Sequence, residues 1–504
     1  MHHVELTAGP LSLEDVTAIA RVRAPVVIGS NALDCVRQSR AVIEHALTDG
    51  NAHYGINTGF GSLSRSRIDD NSLSVLQHNL IRSHAAGVGE PVDEPTVRAM
   101  MALLAASLCR GHSGVREQVP QRLADLLNAG IVPVVPCIGS VGASGDLAPL
   151  AHIALVLIGE GEAFLGCERI PGGAALERAG LEPLVLEPKE GLALINGTHL
   201  MAAQAALACT DFDALLGAAL AAAAMSIDGC KATDAFLDPR VHTARAQPGP
   251  ARVAARVLSL LSGSEIIQSH RSDDTRVQDP YSLRCIPPIL GASMDAADYV
   301  KLAVNAELAA VTDNPLVFEH EPRIVSAGNF HGLPLAIPLD TLAIAVSHVA
   351  GVAERRVFWM LSARDPESGL TPYLAAQPGL QSGLMIAQYT AAACCNEIIT
   401  LATPASVSNI PTSAGIEDYN SYGPRSGAQV RRAIDLARHV VAVELICAAQ
   451  AIEHHRPLRS GAGVERAFEE IRAVVPAFEH DRSPSADIER VAELIAAGRF
   501  GSGV

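Results

Sequence analysis

Residues 215–227 read Leu-Leu-Gly-Ala-Ala-Leu-Ala-Ala-Ala-Ala-Met-Ser-Ile and lie between Asp213 and Asp228. Alanine and leucine are the strongest helix formers, because they lose little side-chain freedom on entering a helix. The run predicts a helix, and the small residues from Ala218 to Ala224 let other helices approach it closely. Its apolar length is about 13 residues, where a bilayer needs about 20. It therefore reads as a buried bundle helix, and no stretch of the chain reads as a membrane span.

The same pattern recurs on both sides of this segment. Pro95 opens an apolar-periodic run that reaches Cys109 and is broken by Gly111, Ser113 and Gly114. A second helix is predicted over Glu117–Asn128, closed by Gly130. Longer runs cover Asp295–Val311, Leu339–Leu361, Leu380–Leu401 and Gln429–His454, with stops at Pro315, Pro404 and Pro457. Such lengths predict an all-α chain built on a central bundle of long, nearly antiparallel helices. Pro25–Ile28 and Ile131–Val135 are β-branched enough for short strands but too few for a major sheet. The length of 504 residues allows about three domains. The composition shift places one boundary: residues 1–204 are rich in Gly and short loops. Residues 205–504 carry the long helices and a polar tail with a helix near Asp487–Ala497.

Hydrophobic residues make up 49% and charged residues 18%, which excludes a disordered chain. The net charge of −16 argues against a nucleic-acid partner, which requires a basic face. The ten cysteines form no C-x-x-C pair, and the start Met1-His2-His3-Val4-Glu5 has no leader pattern. A cytoplasmic chain with reduced thiols is expected. The 18 histidines include the pairs His2-His3 and His454-His455 but no H-E-x-x-H motif, so no metal site is expected.

The most unusual local sequence is Gly139-Ser140-Val141-Gly142-Ala143-Ser144-Gly145-Asp146-Leu147-Ala148-Pro149-Leu150. Small residues precede a helical run from Ala148 to about Ile158, with Asp146 placed as an N-cap and Pro149 in the first turn. Taken alone, this is a flexible helix entry; it is neither a dinucleotide loop nor a P-loop.

Within GSVGASGDLAPLAH, however, Ala143-Ser144-Gly145 resembles the cofactor-forming segment of the histidine and aromatic amino-acid ammonia-lyases. In that family the triplet cyclises and dehydrates to 4-methylidene-imidazol-5-one, a strong electrophile. A glycine suits the third place because its amide can approach the Ala143 carbonyl unhindered. Five more segments are similar to the family, in family order: Tyr54-Gly55-Ile56-Asn57-Thr58-Gly59-Phe60-Gly61, Asn196-Gly197-Thr198, Gln278-Asp279-Pro280-Tyr281-Ser282-Leu283-Arg284, Asn329-Phe330-His331-Gly332 and Pro411-Thr412-Ser413.

The resemblance implies the ammonia-lyase (fumarase/aspartase-like) architecture, with an N-terminal catalytic domain. It also implies a homotetramer whose bundles merge, with each site lined by three subunits. It implies a carbon–nitrogen lyase that removes the α-amino group of an amino acid, without metal or diffusible cofactor. Tyr54 corresponds to the base, a role open to a phenol whose pKa is lowered by positive potential. Arg284 corresponds to the carboxylate fork. Tyr281 and Gln278 correspond to residues that position substrate and cofactor. Asn196 corresponds to the residue that bonds the cofactor or the amine, and Phe330 to a pocket wall.

Substrate choice turns on two positions. His84, in Ser83-His84-Ala85-Ala86-Gly87, and Glu417 resemble histidine-type positions, and both can hydrogen-bond an imidazole. L-histidine, giving urocanate, is the expected substrate. Three departures keep alternatives open. Gly415-Ile416-Glu417-Asp418-Tyr419 stands where histidine-specific relatives read Asn-Gln-Glu-Asp-His, Ile399 stands where Lys is usual, and His199 where Gln is common. The alternatives are an N-methylated histidine or another aromatic amino acid, a 2,3-aminomutase, and a non-catalytic helical scaffold.

Overall fold

The computed structural model describes residues 3–59, 67–272 and 274–501, so His2, Phe60 and Gly61 lie outside the described residues. Two compact units are present. The first comprises Met1–Leu207, Lys301–Leu339 and Ala405–Ala428; the second comprises Ala208–Val300, Asp340–Pro404 and Gln429–Val504.

In the first unit, the helix Glu94–Cys109 is buried on almost every side, and Pro95 occupies its first turn. Proline is tolerated there because the first N–H groups of a helix have no intrahelical partner. The helix Gln118–Ala129 ends at Gly130, whose φ of 70° supplies the left-handed cap. The two β-branched runs do form strands. Val26–Ile28 pairs in parallel with Val4–Leu6, and Ile131–Pro133 pairs antiparallel with Glu162–Leu165. Each sheet among the described residues has two or three strands, so helices carry the fold.

In the second unit the long helices appear, and contacts fix their directions. Arg438 meets Asp211, Glu444 meets Ser226 and His455 meets Gly229, so the helices His199–Gly229 and Gly423–Glu453 run in the same sense. Ser293 bonds Ala345 while Ser282 faces Arg356, so Ile286–Leu308 runs against Leu333–Ser362. Arg432 meets Glu397 and Gln429 meets Thr403, so Met385–Leu401 runs against Gly423–Glu453. A buried pair sits within this unit. Arg356 Nε lies 2.5 Å from Glu444 Oε1 and Nη2 lies 2.8 Å from Oε2, while Ser226 Oγ donates to Oε1 at 2.7 Å. The two-pronged geometry and the added hydroxyl offset the cost of stripping water from both charges.

One expectation needs correction. Two helices, His199–Gly229 and Leu333–Ser362, are long and apolar enough to cross a membrane by length and composition. Counting only the uninterrupted run 215–227 missed this, because isolated polar residues do not end a helix. Most of each helix's apolar stretch is buried inside the protein, as in a core helix.

Candidate active site

The Ala143-Ser144-Gly145 triplet sits in a tight loop ahead of the helix Leu147–Leu157. Gly145 has a φ of +71°, and a Cβ there would lie 2.1 Å from the Gly197 carbonyl oxygen. Only glycine fits this approach. The Asp146 N–H donates to the same carbonyl at 2.7 Å, which ties the triplet to the Asn196-Gly197-Thr198 loop.

Asp146 was expected to cap its own helix, and its side chain does not. Its Oδ2 instead accepts from the N–H groups of Leu200 and Met201, at 2.9 and 3.1 Å. The carboxyl therefore caps the helix His199–Gly229, where donors and dipole favour an anion. Burial nevertheless dominates and raises its pKa from 3.8 to about 7, against the bonds from Met201, Ser140 and Leu200. A raised carboxyl pKa means that the folded state holds a proton which the unfolded chain has lost. This contribution to stability is present below about pH 4 and fades as pH rises through about 7. Asp146→Asn should therefore flatten the fall in melting temperature between those limits, as thermal unfolding across the range will test.

The Tyr54 loop is held by its own motif. Asn57 Oδ1 accepts from the His53 N–H at 2.7 Å, and Asn57 Nδ2 donates to the Asn51 carbonyl at 2.9 Å. Gly55 has a φ of +73°, and a Cβ there would meet Leu192 Cδ2 at 2.4 Å, so the chain next to Tyr54 lies directly on the helix Glu190–Ile195.

These loops enclose a cavity of about 910 Å³ whose lining includes Tyr54, His84, Ala143, Ser144, Asn196, Phe330 and Glu417. Ser144 Oγ donates to Glu417 Oε1 at 3.1 Å, and Thr412 Oγ1 donates to Oε2 at 2.9 Å. His84 Nδ1 lies 2.8 Å from the Leu80 carbonyl, which only accepts, so Nδ1 donates there and a neutral ring would offer Nε2 as an acceptor. Asn196 Nδ2 donates to the Asn314 carbonyl at 2.9 Å.

Three expected site residues are not in this lining. Gln278, Tyr281 and Arg284 belong to the second unit and line a separate pocket of about 360 Å³ there. Arg284 Nε donates to the Asp279 carbonyl at 3.0 Å, and its guanidinium stacks on the Tyr281 ring at 4.5 Å.

Of the departures, Ile416 and Tyr419 line the cavity, whereas Ile399 is exposed on the helix Met385–Leu401. His199 is buried and its pKa is pushed down to about 3 by burial and by Arg110, so it is neutral. Sequence reasoning missed Asn314, because Asp313-Asn314-Pro315 reads as a helix stop. It quoted Thr412 without seeing its bond to Glu417. Asn314 meets a partner 118 residues away, whereas Thr412 reaches Glu417 only five residues on, across the turn at Ser413–Gly415.

An all-α body with a tight Ala-Ser-Gly loop in the wall of a largely apolar cavity fits a carbon–nitrogen lyase of the ammonia-lyase architecture. The aromatic amino acid lyase family matches residues 11–473. The histidine ammonia-lyase of Anaeromyxobacter sp. (strain K) is 48% identical, over 99% of both chains. The crystal structure of histidine ammonia-lyase from Trypanosoma cruzi superposes with a TM-score of 0.92 at 37% identity, covering 99% of this chain and 94% of that one. Tyrosine aminomutase from Streptomyces globisporus gives 0.93 at 33% identity, covering 99% and 98%. The chain belongs to the aromatic amino acid lyase family.

Proposed function

We propose that the protein removes ammonia from L-histidine and leaves urocanate. The observation that carries this reading is the convergence of Tyr54, His84, Ser144, Asn196 and Glu417 on one cavity. The identity to histidine ammonia-lyases supports the substrate.

The residues fit the 4-methylidene-imidazol-5-one that the family implies. At Gly145 a Cβ would strike the Gly197 carbonyl, so the third place of the triplet takes a residue without a side chain, as the cyclisation requires. Once formed from Ala143, Ser144 and Gly145, the group supplies an electrophile that no ordinary side chain offers. Everything else falls to the chain's own residues. Loss of the Ser144 hydroxyl leaves Glu417 Oε1 without its donor, ready to accept an N–H of the substrate. Thr412 keeps the other oxygen in place. His84 Nε2 offers a second acceptor to an imidazole N–H. Tyr54 takes the β-proton, and Phe330 walls the cavity.

Carboxylate binding falls to Arg284. Its terminal nitrogens make no hydrogen bond among the described residues, and the stack on Tyr281 holds the fork flat. Assembly as a homotetramer brings Gln278, Tyr281 and Arg284 of other copies to the Ser144 cavity. A second reading, lyase or aminomutase action on an N-methylated histidine or another aromatic amino acid, is favoured by one observation: the apolar Ile416 stands beside Glu417 in the cavity wall.

Incubation with a panel of amino acids, followed by ultraviolet detection of the unsaturated acid and chromatography of β-amino acids, separates these readings. Urocanate from histidine is the expected product. Turnover of Phe, Tyr or a methylated histidine, with none of histidine, overturns the first reading.

A further inference from the structure

Lys189 and Asp313 form an ion pair outside the lining of the Ser144 cavity. The two side chains are 0% and 3% exposed, and Lys189 Nζ lies 2.6 Å from Asp313 Oδ2. A pair stripped of water this completely is a weak source of stability, because desolvation consumes most of the attraction. Its geometry points elsewhere.

Lys189 stands at the start of the helix Glu190–Ile195, all of whose residues are buried, and Asn196 stands at its end. A rise of about 1.5 Å per residue separates the two ends by roughly 10 Å. From these two ends the side chains reach consecutive residues of one segment. Lys189 holds Asp313, and Asn196 Nδ2 donates to the Asn314 carbonyl at 2.9 Å. Asp313 links the two contacts, since its other oxygen, Oδ1, accepts the Asn314 N–H at 2.6 Å. The Asp313–Asn314 peptide is thereby fixed, and with it the start of the Asn314–Pro315 peptide, whose carbonyl faces Asn196.

That carbonyl determines which way the Asn196 amide is turned. A carbonyl accepts and never donates, so the amide must turn Nδ2 toward it and Oδ1 away. Asn196 Oδ1 is buried, makes no hydrogen bond among the described residues, and belongs to a side chain that lines the Ser144 cavity. A buried acceptor without a donor costs free energy unless a ligand completes it.

We propose that Lys189 and Asp313 are positioning residues for the elimination. They hold the Asn314 carbonyl against the Asn196 amide, so that Asn196 Oδ1 is fixed as the acceptor for the substrate's α-ammonium group. The inference rests on the ammonia-lyase reading of this cavity.

The test compares the wild-type protein with Lys189→Met/Asp313→Leu, which removes both charges at similar volume, in otherwise native and Asn196→Ala backgrounds. The pair variant should keep its melting temperature and lose about tenfold to hundredfold in kcat, with KM changed less than about twofold. In the Asn196→Ala background the same replacement should cost nothing further. Undiminished kcat, or an equal loss in both backgrounds, overturns the proposal. Should the pair variant fail to fold, Asp313→Glu keeps the charge balance and displaces the carboxylate. A fall in kcat at constant KM supports the relay, and wild-type kcat overturns it. If the wild-type protein eliminates ammonia from no amino acid, the functional reading fails on its own. A crystal structure of Asp313→Glu then decides: Asn196 Nδ2 off the Asn314 carbonyl supports the relay, and an unmoved amide overturns it.

Discussion

Ser144→Ala is expected to lower kcat/KM by at least about 10⁴-fold, which is about 5.5 kcal/mol of transition-state stabilisation, while the protein stays folded. The two halves of this result have separate causes. Before cyclisation the hydroxyl makes one hydrogen bond among the described residues, to Glu417 Oε1 at 3.1 Å, and Ser144 is only half-buried. The cyclised protein has already given this hydroxyl up, and even in an uncyclised chain the bond is worth only about 1 kcal/mol, so the variant has too little to lose to unfold a body of this size. The chemistry depends on it entirely, because the electrophile requires the hydroxyl to leave as water. Intact-protein mass provides the link: the native chain should be lighter by two waters than its sequence, and the variant should not. Gly145→Ala is a poorer test. A Cβ there meets the Gly197 carbonyl oxygen at 2.1 Å, so the loop itself would be displaced. Full activity in Ser144→Ala, or a native chain of unreduced mass, removes the electrophile from the mechanism.

The long helices were legible because alanine and leucine runs and proline stops act locally. Their ends were less so. The helix expected from Leu339 begins at Leu333 and contains Pro338. Pro338, in the second turn, forgoes one intrahelical bond, to the Pro334 carbonyl, and the helix continues through it. The helix expected from Leu380 begins at Met385. There the N–H groups of Ser382 and Gly383 donate to Asp481, at 2.8 and 3.0 Å, and hold a turn instead. A partner about a hundred residues away leaves no trace in the local pattern.

The site divides along the same line. Tyr54, Ser144 and Asn196 were readable because each loop carries its own geometry, such as Gly145 against Gly197 or Asn57 inside the tyrosine turn. What each residue presents was not readable. A neutral His84 offers Nε2 as an acceptor because Nδ1 faces Leu80, and Asn196 Oδ1 is an acceptor turned away from Asn314 because Nδ2 faces it. Asp146 was assigned to the wrong helix for the same reason: the competing N–H groups, at Leu200 and Met201, are remote in sequence.

Tyr54→Phe should lower kcat by about 10³-fold, within the range for losing a positioned proton acceptor. Two further measurements give this result its meaning. The variant should still lose two waters, since nothing in the cyclisation of Ala143-Ser144-Gly145 uses the phenol. The bonds that shape the loop run through His53, Asn57 and the Asn51 carbonyl, so the ring should remain in place. Mass and melting temperature therefore separate loss of the base from loss of the electrophile. The second measurement uses a substrate deuterated at the β-carbon. If the phenolic oxygen removes the β-proton, its removal makes that step limiting, and the isotope effect on kcat should rise above that of the wild-type protein. A variant with undiminished kcat and an unchanged isotope effect would move the base to another group in the same cavity. Glu417 is then the first candidate, because loss of the Ser144 hydroxyl leaves one of its oxygens without a donor.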